Sequence, residues 1–498
     1  MKTLKPGRLL LLIILLMPTL LFSQHTAGRV FFGNVSAGGR GIPGVAVSDG
    51  LKVTHTDKRG GYRLVSLEAP DFIFISLPSG YRAPVSEGIP HYFERVNDQS
   101  AKKKRIDFEL ERNQENQERY QLIVCADPQV GFDEDVPKLE SLLADMKKHV
   151  REEFSGMPVY GIMCGDIIEG MNQASPTLQA IKQRFSETEI PFFYVAGNHD
   201  MDLGARSNLL AKQSYKKIFG PSYYSFNLGK VHYVVLDDVF STGKSYGYIG
   251  YLEERQLQWL EQDLASIPQG STVIVSVHIP SYSVSARKGD FGAEDIKKVI
   301  QNRQALYKIL MPYQAHIFSG HEHYQENYVL KDNLFEHVHG ALCGIFWQAP
   351  YNSDGTPLGY TVYEVDGEKL SWYFKAAGKD KNIQCAAYLP GADTQNPEAL
   401  VVNVWNYDSA WKVYWYEDGK KMGEMKQSKG WDPDIVQYVK KNQQNFRYKY
   451  IGAGPSEHMF YAVPLNKHAQ FKIEVVDRFN NVYTTIPQNV NKKQISFR

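Results

Sequence analysis

The stretch Gln121-Leu122-Ile123-Val124-Cys125-Ala126, followed at once by Asp127-Pro128-Gln129, decides how the chain is read. A short, nearly continuous apolar run suits a strand buried on both faces. The pattern recurs in Pro158-Val159-Tyr160-Gly161-Ile162-Met163-Cys164, which leads into Gly165-Asp166-Ile167-Ile168-Glu169. It recurs again in Pro191-Phe192-Phe193-Tyr194-Val195-Ala196, which leads into Gly197-Asn198-His199-Asp200. Between the first two runs, Leu139, Leu142, Leu143, Met146 and Val150 fall at helical spacing. Alternation of such strands and helices is the signature of an α/β layered fold.

Two further runs end the same way. Val273-Ile274-Val275-Ser276-Val277 closes on His278, and Ile317-Phe318-Ser319-Gly320 opens into His321-Glu322-His323. In open α/β sheets the carboxyl ends of the strands share an edge, where ligands bind. Asp127, Asp166, Asn198, His278, His321 and His323 are thereby expected to converge, and each is a competent ligand for a divalent transition metal. The glycines before Asp166, Asn198 and His321 are expected to let the backbone turn tightly there.

Outward from this block the composition changes. Residues 27–112 carry short alternating runs, such as Phe72-Ile73-Phe74-Ile75-Ser76, separated by Gly, Pro, Asp and Ser. They read as a β-sandwich. Residues 111–119 contain no apolar side chain and read as a linker. The α/β block spans 120–378. From 379 to 498 the helix signal mostly disappears, and Trp405, Trp411, Trp415 and Trp431 accompany strand candidates such as Ala399–Trp405 and Phe471–Val476. A second β-sandwich is expected there. At the other end, Lys2, Lys5 and Arg8 precede an apolar run from Leu9 to Phe22. That run is shorter than the roughly 18 residues a membrane span requires, so residues 1–23 read as an export signal, and the protein as periplasmic or secreted.

The chain of 498 residues is 43% hydrophobic and 22% charged, which excludes a wholly disordered chain. A formal charge of +1 shows none of the basic excess of a nucleic-acid-binding surface. Four cysteines in this length make no disulfide scaffold. Cys125 and Cys164 read as buried thiols in neighbouring strands.

The ordered set Asp127-Pro128-Gln129, Gly165-Asp166, Gly197-Asn198-His199-Asp200, His278 and Gly320-His321-Glu322-His323 resembles the calcineurin-like metallophosphoesterase superfamily. The first motif of that family is usually Asp-x-His; with Gln129 this chain resembles its smaller Asp-x-Gln group. The stretch Gly41-Ile42-Pro43-Gly44-Val45-Ala46-Val47, with Thr56-Asp57 and Gly60-Gly61-Tyr62, resembles the carboxypeptidase-regulatory-like β-sandwich. The superfamily resemblance implies a four-layer α/β/β/α core, here flanked by an N- and a C-terminal β-sandwich. It implies two divalent metal ions, drawn from Mn, Fe, Zn or Mg. Asp127, Gln129, His323 and a shared Asp166 would hold the first, and Asp166, Asn198, His278 and His321 the second. A hydroxide bridging the two metals is the implied nucleophile, attacking a phosphate ester on a small molecule or macromolecule, with monoester and diester both left open. The resemblance assigns His199 as general acid or phosphate ligand, and Glu169 as the acid that orients it. Glu169 stands where the purple acid phosphatase branch has a tyrosine, which argues against that branch. The absence of an Arg-rich signature around Asp166 and Asn198 argues against protein Ser/Thr phosphatases.

The remaining histidines carry quieter expectations. His232, His337 and His339 read as structural, and His149 as a surface residue of the first helix. The C-terminal tryptophans read as sandwich core, with a glycan-contacting surface as the other reading. The alternative for the whole chain is accordingly a glycan-binding surface protein with an inactive phosphoesterase-like domain.

Overall fold

Three strands that each lead into a loop bearing a polar motif residue lie side by side in one sheet. The computed structural model describes residues 28–98, 100–114, 117–170, 176–283 and 295–490. The expected export signal lies outside them. Arg119–Cys125, Val159–Met163 and Phe192–Tyr194 pair in parallel, and Gly359–Asp366 and Lys369–Ala376 extend the sheet antiparallel on the far side of Arg119–Cys125. A second, six-stranded sheet runs in the order Tyr224–Leu228, Val231–Val235, Thr272–Ser276, Gln314–Ser319, Leu334–Val338, Glu326–Lys331, with its four central strands parallel.

Alternation along the strands explains how the two sheets stack. Ile123 and Cys125 join Leu139, Leu142, Leu143 and Met146 of the helix Val136–Glu153 and Ile181 and Phe185 of the helix Leu178–Ser186. Their neighbours Leu122, Val124 and Ala126 turn the other way, into the core that also holds Tyr233, Val235, Val275 and Phe318 of the second sheet. The outer face of that sheet is covered by Glu254–Leu264, which contributes the fully buried Trp259, and by Arg303–Leu310. The result is helix, sheet, sheet, helix. Each large side chain buried in this way stabilises the fold by about 1.5–3 kcal/mol.

The flanking blocks are β-rich. The N-terminal strands form a six-stranded and a four-stranded sheet, and dock on the core through Trp259 Nε1, which donates to Ser48 Oγ at 3.1 Å, and Tyr223 Oη, which donates to the Gly50 carbonyl at 2.7 Å. The C-terminal part has two four-stranded sheets around Leu400, Val402, Val413, Trp415, Phe460 and Ile473, plus the helix Pro433–Asn442. Trp411 and Trp415 are buried in its interior, Trp405 is buried against Phe374 and Ala376 of the core sheet, and Trp431 is exposed.

Two expectations need correction. The described residues of 111–119 are not a free linker. Arg119 already belongs to the first core strand, and Phe108–Arg112 is itself a strand. Gln117 is buried, accepts from the Gly80 N–H at 2.7 Å and donates to Tyr160 Oη at 3.1 Å. A polar segment can be held by its hydrogen bonds where it has no apolar side chain to bury. His149 is not on the surface either: it is buried, with Nε2 2.8 Å from Tyr373 Oη.

His232, His337 and His339 are structural. His232 is held between Asn227 Oδ1 and Asp263 Oδ2, and His339 between the Ser319 carbonyl and Tyr363 Oη. His337 Nδ1 donates to Asn327 Oδ1 at 2.8 Å, and its Nε2 accepts from His316 Nδ1 at 3.0 Å, a chain that requires the His337 ring to be neutral. Burial pushes His316 down to about 3 and His339 to about 4, and holds His337 well below the usual histidine range. The stability that goes with neutral rings is complete above pH 6.5. It is lost as pH falls toward the folded values, because the unfolded chain takes up protons first. Each unit of depression is worth about 1.4 kcal/mol. His337→Phe is therefore expected to move the acid-unfolding midpoint, followed by circular dichroism, to lower pH. An unmoved midpoint would contradict this account of the cluster.

Candidate metal centre

Three loops after the first sheet and two after the second meet at one edge. Asp127, Asp166 and Asn198 come from the first set, and His278, His321 and His323 from the second. The loops are knitted directly to one another. The Asp127 N–H donates to the Gly165 carbonyl, the Gln129 N–H to the Asp166 carbonyl, and the Gly320 N–H to the His278 carbonyl. Asp127 Oδ2 accepts from the His321 N–H at 2.8 Å, and Asp166 Oδ1 from the His199 N–H at 2.8 Å.

The backbone at these residues is strained. Asp127, Gln129, Asp166, His321 and His323 all have positive φ, between 34° and 71°. Side-chain-bearing residues rarely adopt this region, and such strain collects where function requires a particular presentation. The expected role of the glycines is accordingly revised. Only Gly165, at φ 84°, uses a glycine-favoured turn. At Gly197 and Gly320 the need is close approach: a Cβ would stand 2.2 Å from Asp166 Oδ1 and 2.4 Å from Asp127 Oδ2 respectively.

The second expected ligand set is assembled. Ligand atoms of Asp166, His278 and His321 all lie within 4.8 Å of one another. His278 Nε2 is 3.3 Å from Asp166 Oδ1, 3.0 Å from Asn198 Oδ1 and 3.1 Å from His321 Nδ1. The first set also gathers, with His323 Nε2 3.6 Å from Asp127 Oδ1 and Gln129 Nε2 3.1 Å from Asp166 Oδ2. Gln129 thus presents its amide nitrogen to Asp166, while its carbonyl oxygen faces Cys343 Sγ at 3.6 Å. A half-turn of the amide brings the carbonyl to the same space.

These residues fit a pair of divalent cations. Asp127 is fully buried, and its Oδ1 has no hydrogen-bond donor, an arrangement that is costly unless a cation is the partner. His278 Nδ1 donates to the Cys164 carbonyl at 2.8 Å, and His323 Nδ1 to the Gly344 carbonyl at 3.0 Å. Fixing one ring nitrogen on a carbonyl leaves the other as the ligand atom, as is usual for metal-bound histidine. The mixed carboxylate, amide and imidazole donors suit first-row divalent metals.

Without such cations the electrostatics are frustrated. Burial drives the Asp127 carboxyl well above its usual range. Burial also opposes ionisation of Asp166, but His278, His199 and His321 together outweigh it and hold this carboxyl low. Burial works against charge on His278 as well, and Asp166 reverses this, raising the imidazole to about 10. His321 is held well below its usual range and His323 falls to about 4, both by burial.

His199 sits at the mouth of the site, its side chain 22% exposed and its Nε2 4.0 Å from Asp166 Oδ2. Its Nδ1 is bonded to the main-chain carbonyl of Glu169. The expectation that the Glu169 carboxylate orients His199 is corrected to that extent, because this carboxylate instead accepts from Tyr448 Oη at 3.1 Å.

Three contributors escaped the sequence reading, and a fourth, Asp200, stood in its motif without a role. Asp200 Oδ1 and Oδ2 accept from the Ile167 and Gly197 N–H groups, clamping two motif loops together. Asp238 does the same for the His278 and Ile279 N–H groups at 3.0 and 2.9 Å. Its signal was an acidic pair, Asp237-Asp238, directly after the apolar run Val231–Leu236. Cys343 lies against Gln129. Trp347 Nε1 donates to the Pro128 carbonyl at 2.8 Å, between Asp127 and Gln129. Neither of the last two follows a strand-end pattern. All four cysteines are free and buried, as expected for Cys125 and Cys164.

Comparison with known proteins agrees with the geometry. Models for the N-terminal part, the core and the C-terminal part of calcineurin-like phosphoesterase match residues 30–113, 120–325 and 336–483. The human protein named serine/threonine-protein phosphatase CPPED1 is 26% identical over 235 residues, covering 43% of this chain and 73% of that protein. Purple acid phosphatase 15 of Arabidopsis thaliana is 31% identical over 160 residues, or 29% of this chain and 27% of that protein. A solved dimetal phosphatase from Danio rerio is 15% identical, with a TM-score of 0.38, over 52% of this chain and 97% of that one.

Proposed function

The chain belongs to the calcineurin-like phosphoesterase family, a family of metal-dependent phosphoester hydrolases with two divalent metals, and on that premise we propose that it acts on phosphate esters outside the cytoplasm. The observation that carries the reading is the convergence of five strand-end loops on Asp127 Oδ1, buried without a donor, beside the cluster Asp166, His278 and His321.

Asp127, Gln129, His323 and Asp166 would hold one ion, and Asp166, Asn198, His278 and His321 the other. When bound, the ions supply an activated water as nucleophile and positive charge to receive the phosphate. The chain's own residues do the rest. The Gly165 turn and the close approaches at Gly197 and Gly320 present the two carboxylates inward. The Asp200 and Asp238 clamps fix the spacing of the loops. His199, with Nδ1 committed to the Glu169 carbonyl, presents Nε2 to the leaving oxygen and donates its proton there.

The export part of the reading rests on Lys2, Lys5, Arg8 and the apolar run Leu9–Phe22. No described helix is long and apolar enough to cross a membrane. Amino-terminal sequencing of protein from the periplasm or medium is expected to begin near Gln24; an intact Met1 terminus in the cytoplasm would contradict export. The activity is tested with nitrophenyl phosphate mono- and diesters in the presence of Mn²⁺. The expected result is hydrolysis that chelation removes. A protein that hydrolyses neither ester under any divalent metal would instead match an inactive relic.

Gln129 sets a further expectation. An amide oxygen in place of the family's usual imidazole makes the first site richer in oxygen, which favours harder ions such as Mn²⁺ or Mg²⁺. Gln129→His is expected to retain more metal after dialysis and to shift preference toward Zn²⁺ or Fe. Equal retention of two metals by both proteins would mean that Gln129 does not ligate.

A further inference from the structure

Aromatic side chains from three separate segments gather on one side of the metal centre. Phe346 stands 5.0 Å, ring to ring, from His323, and it has the unusual φ of 46°. Tyr448 lies edge-on to Phe346 at 5.3 Å and donates to Glu169. Tyr450 follows at 6.0 Å from Tyr448 and is 82% exposed. Tyr246, in the turn between Val239–Ser241 and Tyr248–Gly250, is 55% exposed, also has positive φ (54°), and brings its hydroxyl to 3.8 Å from where a Cβ on Gly170 would stand. Glu169 and Gly170 directly follow the Asp166 loop, and the Glu169 carbonyl carries His199.

The segment bearing Tyr448 and Tyr450 belongs to the C-terminal part, yet it is bolted to the core. Arg447 pairs with Glu134 and with the buried Asp135, and lies over the Phe132 ring at 3.6 Å. Gln348 Oε1 accepts from the Arg447 and Tyr448 N–H groups. Phe346 is braced in turn by its neighbour Trp347, whose backbone is also left-handed and whose indole is tied to Pro128. Strained backbone and several anchors hold large, partly exposed rings beside a catalytic centre, against the ordinary tendency of such rings to bury.

We propose that Tyr246, Phe346, Tyr448 and Tyr450 form an aromatic rim that recognises a planar aromatic leaving group on the phosphate ester. The inference rests on the phosphoesterase reading above and names the substrate class for that site. Rings of this kind stack on flat π-systems. The charged groups of this segment are already engaged and do not face a hydroxyl-rich group, with Arg447 in its ion pairs and Lys449 Nζ on the Gln444 carbonyl, and the Tyr448 hydroxyl is held by Glu169. His199 lies on the same side, so a leaving oxygen that takes its proton carries its substituent toward the rim.

The test uses the full-length, Mn²⁺-loaded protein with 1-naphthyl phosphate and glycerol 3-phosphate, and reads the ratio of kcat/KM for the two. Wild type is expected to favour the naphthyl ester. In Tyr450→Ala the ratio should fall about 5- to 10-fold, the scale of one lost stacking contact, mainly through KM for the aryl ester. Tyr450→Phe should restore the ratio, because the ring and not the hydroxyl does the stacking. An unchanged ratio in Tyr450→Ala, or hydrolysis of both esters with glycerol phosphate preferred by wild type, would overturn the rim while leaving the phosphoesterase reading intact. Hydrolysis of neither ester would overturn the rim, and if nitrophenyl phosphate mono- and diesters are also left intact it would overturn the phosphoesterase reading as well.

Discussion

Replacing Asp166 by Asn is expected to bring phosphoesterase activity to background and to strip metal from the protein at the same time. Its two carboxylate oxygens face both halves of the site: Oδ1 lies 3.3 Å from His278 Nε2, and Oδ2 lies 3.1 Å from the Gln129 amide. An asparagine has the same shape but only one acceptor oxygen and no charge, so it cannot bridge two cations equivalently. The loop itself should survive, because the His199 N–H can still donate to the amide oxygen. Metal content by elemental analysis separates the two effects. Turnover near wild type with two ions still bound would end the assignment of Asp166 as the shared ligand.

The second large effect is expected at His199. His199→Ala should lower turnover by about 10²-fold or more, the scale of a lost general acid, while both ions remain. The geometry predicts this separation. The imidazole is committed through Nδ1 to the Glu169 carbonyl, and its Nε2 is 4.0 Å from the closer Asp166 oxygen. The backbone N–H that supports Asp166 is kept in the alanine variant. An ester with a good leaving group should suffer less than one with a poor leaving group, because it needs less protonation. Loss of an ion from His199→Ala would make the residue a ligand.

The gathering of the candidate side chains was legible because each follows an apolar run, and a buried strand delivers its next residue to the sheet edge. That logic holds for Asp127, Asp166, Asn198, His278, His321 and His323. It failed where a side chain acts across the chain. Asp200 and Asp238 clamp loops through main-chain N–H groups, a role that depends on which backbone lies opposite. The glycine reading was right about need and wrong about cause at Gly197 and Gly320, since close approach of a carboxylate from another loop is invisible in local sequence. His149 was misread because a helix can turn a polar ring inward when a hydroxyl, here that of Tyr373, waits for it. The aromatic rim draws on residues 246, 346, 448 and 450, and no periodicity joins positions so far apart. The sandwich reading of the last block succeeded on strand pattern, but the helix Pro433–Asn442, capped by the Asp432 carboxylate, fell outside it.

The central claim is that the chain holds two divalent ions through these strand-end loops and uses them to cleave phosphate esters. The most direct measurement is the number of divalent ions bound per chain, by elemental analysis after loading with Mn²⁺ and desalting, taken together with nitrophenyl phosphate hydrolysis on the same sample. The account predicts two ions per wild-type chain, with hydrolysis lost on chelation and restored by adding Mn²⁺ back. Fewer than one ion per chain, or hydrolysis that survives complete removal of metal, would contradict it.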